Sequence, residues 1–144
     1  MNIEEFEALV QELKINNPKI FGLESDAKPT IEEIKLIEEY YEISLPTSYK
    51  EFLKKYGGGY FAYLVVYSMD DQSFFYLRNN VMKELIKINK FFPVIDFETG
   101  DLAGFKIIND VCEDMIMLYN HEDNVINDLH MNFFDAIAKY GLKK

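Results

Sequence analysis

The 144-residue sequence predicts an α+β fold, in which N-terminal helices and a C-terminal helix pack on a mainly antiparallel sheet of about four to six strands. Apolar residues recur at helical spacing near both ends of the chain, and segments rich in aromatic and β-branched residues occupy the middle. Turn-forming residues separate these middle segments, which is typical of antiparallel strands. No internal repeat and no linker rich in proline, glycine or serine divides the chain, so we expect a single domain over residues 1–144.

Three helices are predicted before the first strand. The first covers Ile3–Ile15, because five apolar residues fall on one stripe: Ile3, Phe6, Leu9, Val10 and Leu13. The second begins with the capping-box pattern of Thr30 and Glu33 and ends near Tyr41. It is expected to bury Ile31, Ile34 and Ile37. The third follows Pro46, places Tyr49, Phe52, Leu53 and Tyr56 on one face, and ends where Gly57 supplies a left-handed cap.

The middle of the chain changes from helical to strand periodicity. A short helix is also expected over Asn80–Asn89 through Val81, Leu85 and Ile88, and a last helix over Asn132–Tyr140 should turn Phe133, Ile137 and Tyr140 inward. The predicted strands are Tyr60–Tyr67, Phe74–Leu77, Phe92–Phe97, Leu102–Ile108 and Met115–Tyr119.

Composition indicates a folded protein with a real core. Hydrophobic residues make up 49% of the chain, which contains 12 Phe and 10 Tyr, and such a composition argues against disorder. The single cysteine, Cys112, excludes an internal disulfide and fits a reducing compartment. The segment Met1–Phe6 is acidic and amphipathic, unlike a secretory signal, and no apolar run approaches the ~18 residues of a membrane helix. We therefore expect a cytoplasmic protein without a membrane partner.

The negative charge is unevenly distributed. The net charge is −10, and residues 96–135 contain ten acids but only one base, Lys106. Such a segment repels the phosphate backbone, so we expect no direct nucleic-acid binding. It would attract a basic protein and accelerate the encounter. The alternative interpretation is a solvated face that only keeps the protein soluble.

No combination of residues indicates catalysis or metal binding. Cys112 has no basic neighbour in sequence, and with His121 and His130 it falls short of the four Cys or His ligands of a structural zinc site. A calcium loop beginning at Asp96 would need an oxygen ligand where Gly100 stands and a distal Glu where Ile107 stands. We therefore expect no metal, no cofactor and no enzymatic activity.

One stretch of the sequence resembles the SUKH superfamily, which contains the fungal cell-wall glucan-synthesis regulator and many bacterial relatives. The family pattern is a helix with a Glu, a Leu-Pro step, a Tyr and a Phe-Leu pair on the next helix, and a terminal Gly-Gly. Here it is matched by Glu38, Leu45-Pro46, Tyr49, Phe52-Leu53 and Gly57-Gly58-Gly59. This portion is the most specific part of the match.

Two further elements resemble the family in the same order. Phe92-Pro93-Val94 with Gly100-Asp101 is similar to its strand ending in a Gly-Asp turn, and His121-Glu122 with Asn132-Phe133 is similar to its closing strand, turn and helix. The resemblance spans about Ile31–Tyr140 and implies one SUKH-like domain. Core spacing and cap chemistry assign the motif residues to the fold and not to a ligand site.

The resemblance implies a protein-binding function. Most bacterial members of the superfamily are similar to immunity proteins, which bind and neutralise toxins, often nucleases, of competing cells. The alternative is a regulatory scaffold of the kind implicated in cell-wall glucan synthesis, and a third class is an enzyme or calcium binder. Fungal scaffolds usually add long disordered arms, which are not evident here, so the immunity hypothesis is favoured.

Nuclease toxins tend to present basic surfaces, which an acidic surface would complement. We therefore expect a basic toxin domain as partner, met by acids on predicted turns and strand ends. The candidate partner-binding residues are Asp96, Glu98, Asp101, Asp114, Glu122 and Asp123.

Overall fold

Six strands form one antiparallel sheet in the computed structural model, which describes residues 1–144, and their order across the sheet follows their order along the chain. This arrangement, with helices before and after it, confirms the α+β prediction. The strands are β1 (Gly59–Phe61), β2 (Leu64–Val66), β3 (Phe91–Asp96), β4 (Leu102–Ile108), β5 (Val111–Asn120) and β6 (Val125–Asp128).

Along the chain, helices precede the first strand, lie between β2 and β3, and follow the last strand. A 3-10 turn follows the first helix, and a π-helical turn over Ile137–Gly141 extends the last one. The helices are α1 (Ile3–Asn16), α2 (Ile31–Tyr41), α3 (Thr47–Tyr56), α4 (Leu77–Asn80), α5 (Lys83–Asn89) and α6 (Phe133–Ala136).

Local sequence explains where the long helices begin and end. The capping box predicted for α2 is present, because the Glu33 N–H donates to Thr30 Oγ1 at 3.1 Å and the Thr30 N–H donates to Glu33 Oε1 at 2.9 Å. Gly57 ends α3 at φ 85°, where a side chain would also meet the backbone carbonyl of Asp26.

An aromatic cluster joins the helices to one face of the sheet, which we call the inner face. The Phe52 ring of α3 is fully buried and lies 5.0 Å from the Phe61 ring of β1 and 5.4 Å from the Phe133 ring of α6. It also lies 6.1 Å from Phe6 of α1. One side chain of α3 therefore contacts three other elements, within the range at which aromatic pairs attract.

Two buried tyrosines connect helices to the backbone of other elements. Tyr49 donates its hydroxyl to the carbonyl oxygen of Tyr67, and Tyr41 donates to the carbonyl oxygens of Leu77 and Val81 at 3.1 and 2.8 Å. Burial raises the pKa of both phenols well above the ordinary value. Both therefore stay protonated and keep donating.

Two strand predictions in the first half of the sheet are wrong. The segment Tyr60–Tyr67 is not one strand, because the chain reverses at Ala62 and Tyr63 to form the β1–β2 hairpin. Ala62 adopts φ 52°, and Tyr63 donates its N–H to the Gly141 carbonyl, so a distant segment holds the turn. Phe74–Leu77 is not a strand either: it forms turns that lead into α4, and Phe74 is 91% exposed.

The second half of the sheet is larger than predicted. β5 begins at Val111 and not at Met115, because Asn109 and Asp110 both adopt positive φ and close a two-residue hairpin after β4. β6 has no counterpart among the predicted strands. It forms because its backbone pairs with the edge that the longer β5 presents.

The predicted faces of three helices need correction. Ile31 is 60% exposed because it begins α2, whereas Ile34 and Ile37 are buried as expected. The helix expected over Asn80–Asn89 divides into α4 and α5, and Leu85 and Ile88 are exposed while Val81 and Ile86 are buried. In the last helix Phe133 and Ile137 are buried, but Tyr140 is only half-buried.

The aromatic cluster predicts a large cost for losing the Phe52 ring. Phe52→Ala should lower the free energy of unfolding by about 3–5 kcal/mol, through lost burial and the cavity that remains. Urea denaturation monitored by circular dichroism measures this. Ile31→Ala, at an exposed position of α2, is the matched control and should change the value by no more than about 0.5 kcal/mol. Similar losses for the two variants would contradict the assignment of Phe52 to the centre of the core.

Candidate protein-binding surface

Antiparallel order gathers acids from two turns at one end of the sheet. Asp96 at the end of β3 pairs with Leu102 of β4, which pairs with Tyr119 of β5, so the β3–β4 and β5–β6 turns lie side by side. Five of the six predicted acids are at this end. We call them the acidic turn cluster: Asp96, Glu98, Asp101, Glu122 and Asp123.

Asp96 organises the first of these turns. Its Oδ2 accepts the Tyr67 hydroxyl at 2.9 Å, and its Oδ1 accepts the Glu98 N–H at 2.7 Å. Burial, followed by the Asp96 charge, raises the pKa of Tyr67 well above its ordinary value. The phenol therefore remains a donor, and Asp96 is held in place at the edge of the cluster.

Asp101 joins the first turn to the second through His121. Its Oδ1 lies 2.6 Å from His121 Nδ1 and accepts the His121 N–H at 3.0 Å. The side-chain hydrogen bond, and then the backbone one, hold the pKa of Asp101 below its ordinary value. Gly100 makes room for the histidine, since it adopts φ 100° and a Cβ there would lie 2.8 Å from His121 Cγ. The two turns are thus coupled by specific contacts.

Three members of the cluster point their charge into solvent. Glu98, Glu122 and Asp123 are exposed, and only Asp123 has its carboxylate engaged, by the Val125 N–H at 3.2 Å. Glu98 sits at the tip of its turn with φ 59°. Glu98 and Glu122 are therefore the acids most available to a partner.

The structure separates Asp114 from the other predicted acids. Asp114 lies within β5, and its Oδ1 accepts the N–H of Phe133, the first residue of α6, at 2.9 Å. This contact satisfies an unpaired donor at the start of a helix. Asp114 is thus on the helix-bearing side and does not belong to the acidic turn cluster.

A lysine also lies at this end of the sheet. The β1–β2 turn lies at the same end of the sheet, and Lys143 Nζ is 5.5 Å from the centre of the Tyr63 ring there. The acids of the cluster therefore come from the β3–β4 and β5–β6 turns, while the β1–β2 turn carries a positive charge beside it.

Sequence reasoning missed an apolar groove beside the cluster. It has a volume of about 480 Å³ and lies on the outer face of the sheet, opposite the aromatic cluster, between α5 and strands β3 to β6. We call it the outer-face groove. The apolar residues that line it include Met82, Leu85, Ile88, Pro93, Leu102, Tyr119 and Ile126. The signal in the sequence was the apolar helical spacing of Val81, Leu85 and Ile88, which predicted the helix but not which side of it stays exposed.

The structure brings no candidate metal ligands together, and it buries the single cysteine. No three His, Cys, Asp or Glu side chains are arranged to hold a metal ion. Cys112 is buried, and burial together with the charges of Glu38 and Glu113 raises the pKa of its thiol to about 12. The thiol is therefore neutral and a poor nucleophile.

None of the helices combines the length and the apolar character needed to cross a membrane.

The fold and the surface together define an α+β domain with acidic turns at one end of its sheet and an uncovered apolar groove. Comparison with known families then identifies the family to which this domain belongs. The chain belongs to the SUKH superfamily: the model of the SUKH_6 family, described as SMI1-KNR4 cell-wall, matches residues 31–135. The match runs from the start of α2 into α6 and confirms the resemblance seen in the sequence. No curated protein matches the chain significantly.

The contact between Asp101 and His121 predicts a measurable change in titration. His121→Ala removes the side-chain hydrogen bond, so the pKa of Asp101 should rise toward the ordinary value of about 3.9. An NMR titration of the Asp101 carboxyl carbon measures this. His130→Ala is the matched control, because His130 is exposed and lies beside Asp128 instead.

The same contact has a stability consequence whose sign is fixed. Folding lowers the pKa of Asp101, so the contact stabilises the folded protein at pH values above the pKa that Asp101 has in the unfolded chain. This stabilisation is lost as the pH falls through the pKa of Asp101 in the folded protein. Urea midpoints of the parent should therefore fall more steeply in acid than those of His121→Ala. An unchanged Asp101 titration in His121→Ala would contradict the contact.

Proposed function

We propose that this chain is an immunity-type protein, which binds a toxin domain of a bacterial competition system and neutralises it. The observation that carries the proposal is the acidic turn cluster, where five acids from two turns meet at one end of the sheet. Membership of the SUKH superfamily supports a binding role at the level of the family.

The chemistry of the cluster favours a basic partner, and a nuclease toxin is the kind of toxin that provides one. A nuclease must attract a phosphate backbone, so its substrate surface is rich in Lys and Arg. The acidic turn cluster presents the opposite charge on a fixed scaffold, because Asp96 and Asp101 are held by hydrogen bonds while Glu98 and Glu122 remain free. Occupying the basic surface would exclude the nucleic acid and so block the reaction without any catalysis by this chain.

The second candidate is a regulatory scaffold of cell-wall synthesis. The description of the matching family model names the cell wall, which is the specific observation in its favour. Such a scaffold would not need to neutralise a toxin, so the two functions separate in one growth assay.

On this proposal we expect a toxin gene beside the gene of this chain, and the test uses the domain that this gene would encode. Co-expression of this chain should restore growth of cells that produce the domain, and the purified chain should inhibit its nuclease activity. The association rate should fall as salt rises, because ions screen charges over ~8 Å at physiological ionic strength.

Charge-reversal variants locate the surface. Glu98→Lys combined with Glu122→Lys should slow association on the order of tenfold at low salt, measured by surface plasmon resonance. The matched control combines Glu12→Lys with Glu39→Lys, which makes the same change in net charge at exposed positions of α1 and α2. Equal rates for the two double variants would show that the cluster is only a solvated face. Failure to rescue growth would contradict the immunity function itself.

A further inference from the structure

The outer face of the sheet is covered unevenly. Over β1 the ring of Phe75 lies 5.1 Å from Tyr60, and beside β3 the helix α5 contributes Ile86, which is buried. Over β4 to β6 no helix lies on this face, and Leu102, Tyr119 and Ile126 form an apolar floor. The helical layer that α5 begins therefore stops halfway across the sheet.

The missing part of this layer has the size of one helix. Neighbouring strands are ~4.8 Å apart, so β4 to β6 span about 10 Å, and a helix with its side chains is ~10 Å wide. A helix lying beside α5 over these strands would fill the outer-face groove and complete the layer. Helix-in-groove binding of this kind is a common way to recognise an amphipathic segment.

The wall of the groove that faces this space is apolar and uncovered. Met82, Leu85 and Ile88 are 62%, 51% and 75% exposed, and they line the same groove as Tyr119 and Ile126. A contiguous apolar patch of this kind marks an interaction site more often than scattered apolar residues do. Asn80, Asn89 and Asn124 supply amide groups at its margin.

Charge at the ends of the groove selects the occupant. Asn124 lines the groove and accepts the Tyr119 hydroxyl at 2.9 Å, and it follows Glu122 and Asp123 in the same turn. Asp96 shares the sheet face of Leu102. One end of the groove therefore meets the acidic turn cluster, while Lys106, opposite Glu113, lies toward the other. A second copy of this chain would bring the same acids to the site, which disfavours self-association.

We propose that the outer-face groove receives an amphipathic helix of the partner protein, whose apolar side chains enter the groove and whose Lys or Arg residues lie against the acidic turn cluster. This inference rests on the proposed function in so far as the partner is the toxin domain. It adds the secondary structure, the orientation and a second contact surface to that function.

The probes are three synthetic helical peptides of 14 residues, each ~21 Å long. The first has a leucine stripe and lysines toward one end, the second replaces the lysines with glutamates, and the third has the composition of the first without a stripe. Fluorescence anisotropy should show the first binding about tenfold or more tighter than the other two. Methyl NMR should place its contacts on Leu102 and Ile126.

Protein variants test the groove directly. Leu85→Ser combined with Ile88→Ser should weaken the first peptide about tenfold or more, while circular dichroism shows the fold retained. Ile15→Ser combined with Leu23→Ser is the matched control, because these side chains are 79% and 61% exposed away from the groove and their loss should not weaken binding. The first double variant should likewise bind the toxin domain more weakly.

Four outcomes would overturn the groove proposal. They are equal binding of the first and third peptides, equal binding of the first and second, unchanged binding by Leu85→Ser with Ile88→Ser, and a parent dimer in sedimentation that this variant abolishes. None of these bears on toxin neutralisation, which the growth assay measures separately. A chain that rescues growth but fails these tests would keep the proposed function and lose the groove.

Discussion

Burial of one face of α3 is the interaction on which the rest of the structure depends. Phe52 contacts aromatic rings from α1, β1 and α6, which come from both ends and the middle of the chain, and Tyr49 bonds the backbone beyond β2. These contacts place α1, α3 and α6 on the inner face of the sheet. The outer face is left to α4 and α5, which are too short to cover it.

The sequential antiparallel order of the strands then decides where charge collects. Alternate turns must fall at the same end of such a sheet, so the β3–β4 and β5–β6 turns become neighbours although about 20 residues separate them. Asp101 and His121 join them, and Gly100 leaves the space that the imidazole occupies. The outer-face groove reaches the same end of the sheet as the acidic turn cluster, so one surface has both a charged and an apolar part.

The elements predicted well are those specified by local chemistry. Thr30 and Glu33 cap α2 wherever α2 packs, and Gly57 ends α3 because other residues are strained at its φ. The elements predicted poorly depend on distant partners. Ala62 and Tyr63 carry no turn signal, and the hydrogen bond from the Tyr63 N–H to the distant Gly141 carbonyl holds their turn, whereas Asn109 and Asp110 are residue types that favour a turn locally.

The sequence by itself determined the α+β class, the main helices, the central strand β4, the family and the acidic character of the C-terminal half. Only the tertiary structure decided that five of the candidate acids meet while Asp114 caps α6, and that Leu85 and Ile88 face a groove and not the core. The physical reason is that periodicity and capping act within a few residues. Which turns become neighbours, and which apolar faces stay uncovered, depends on how the whole chain packs.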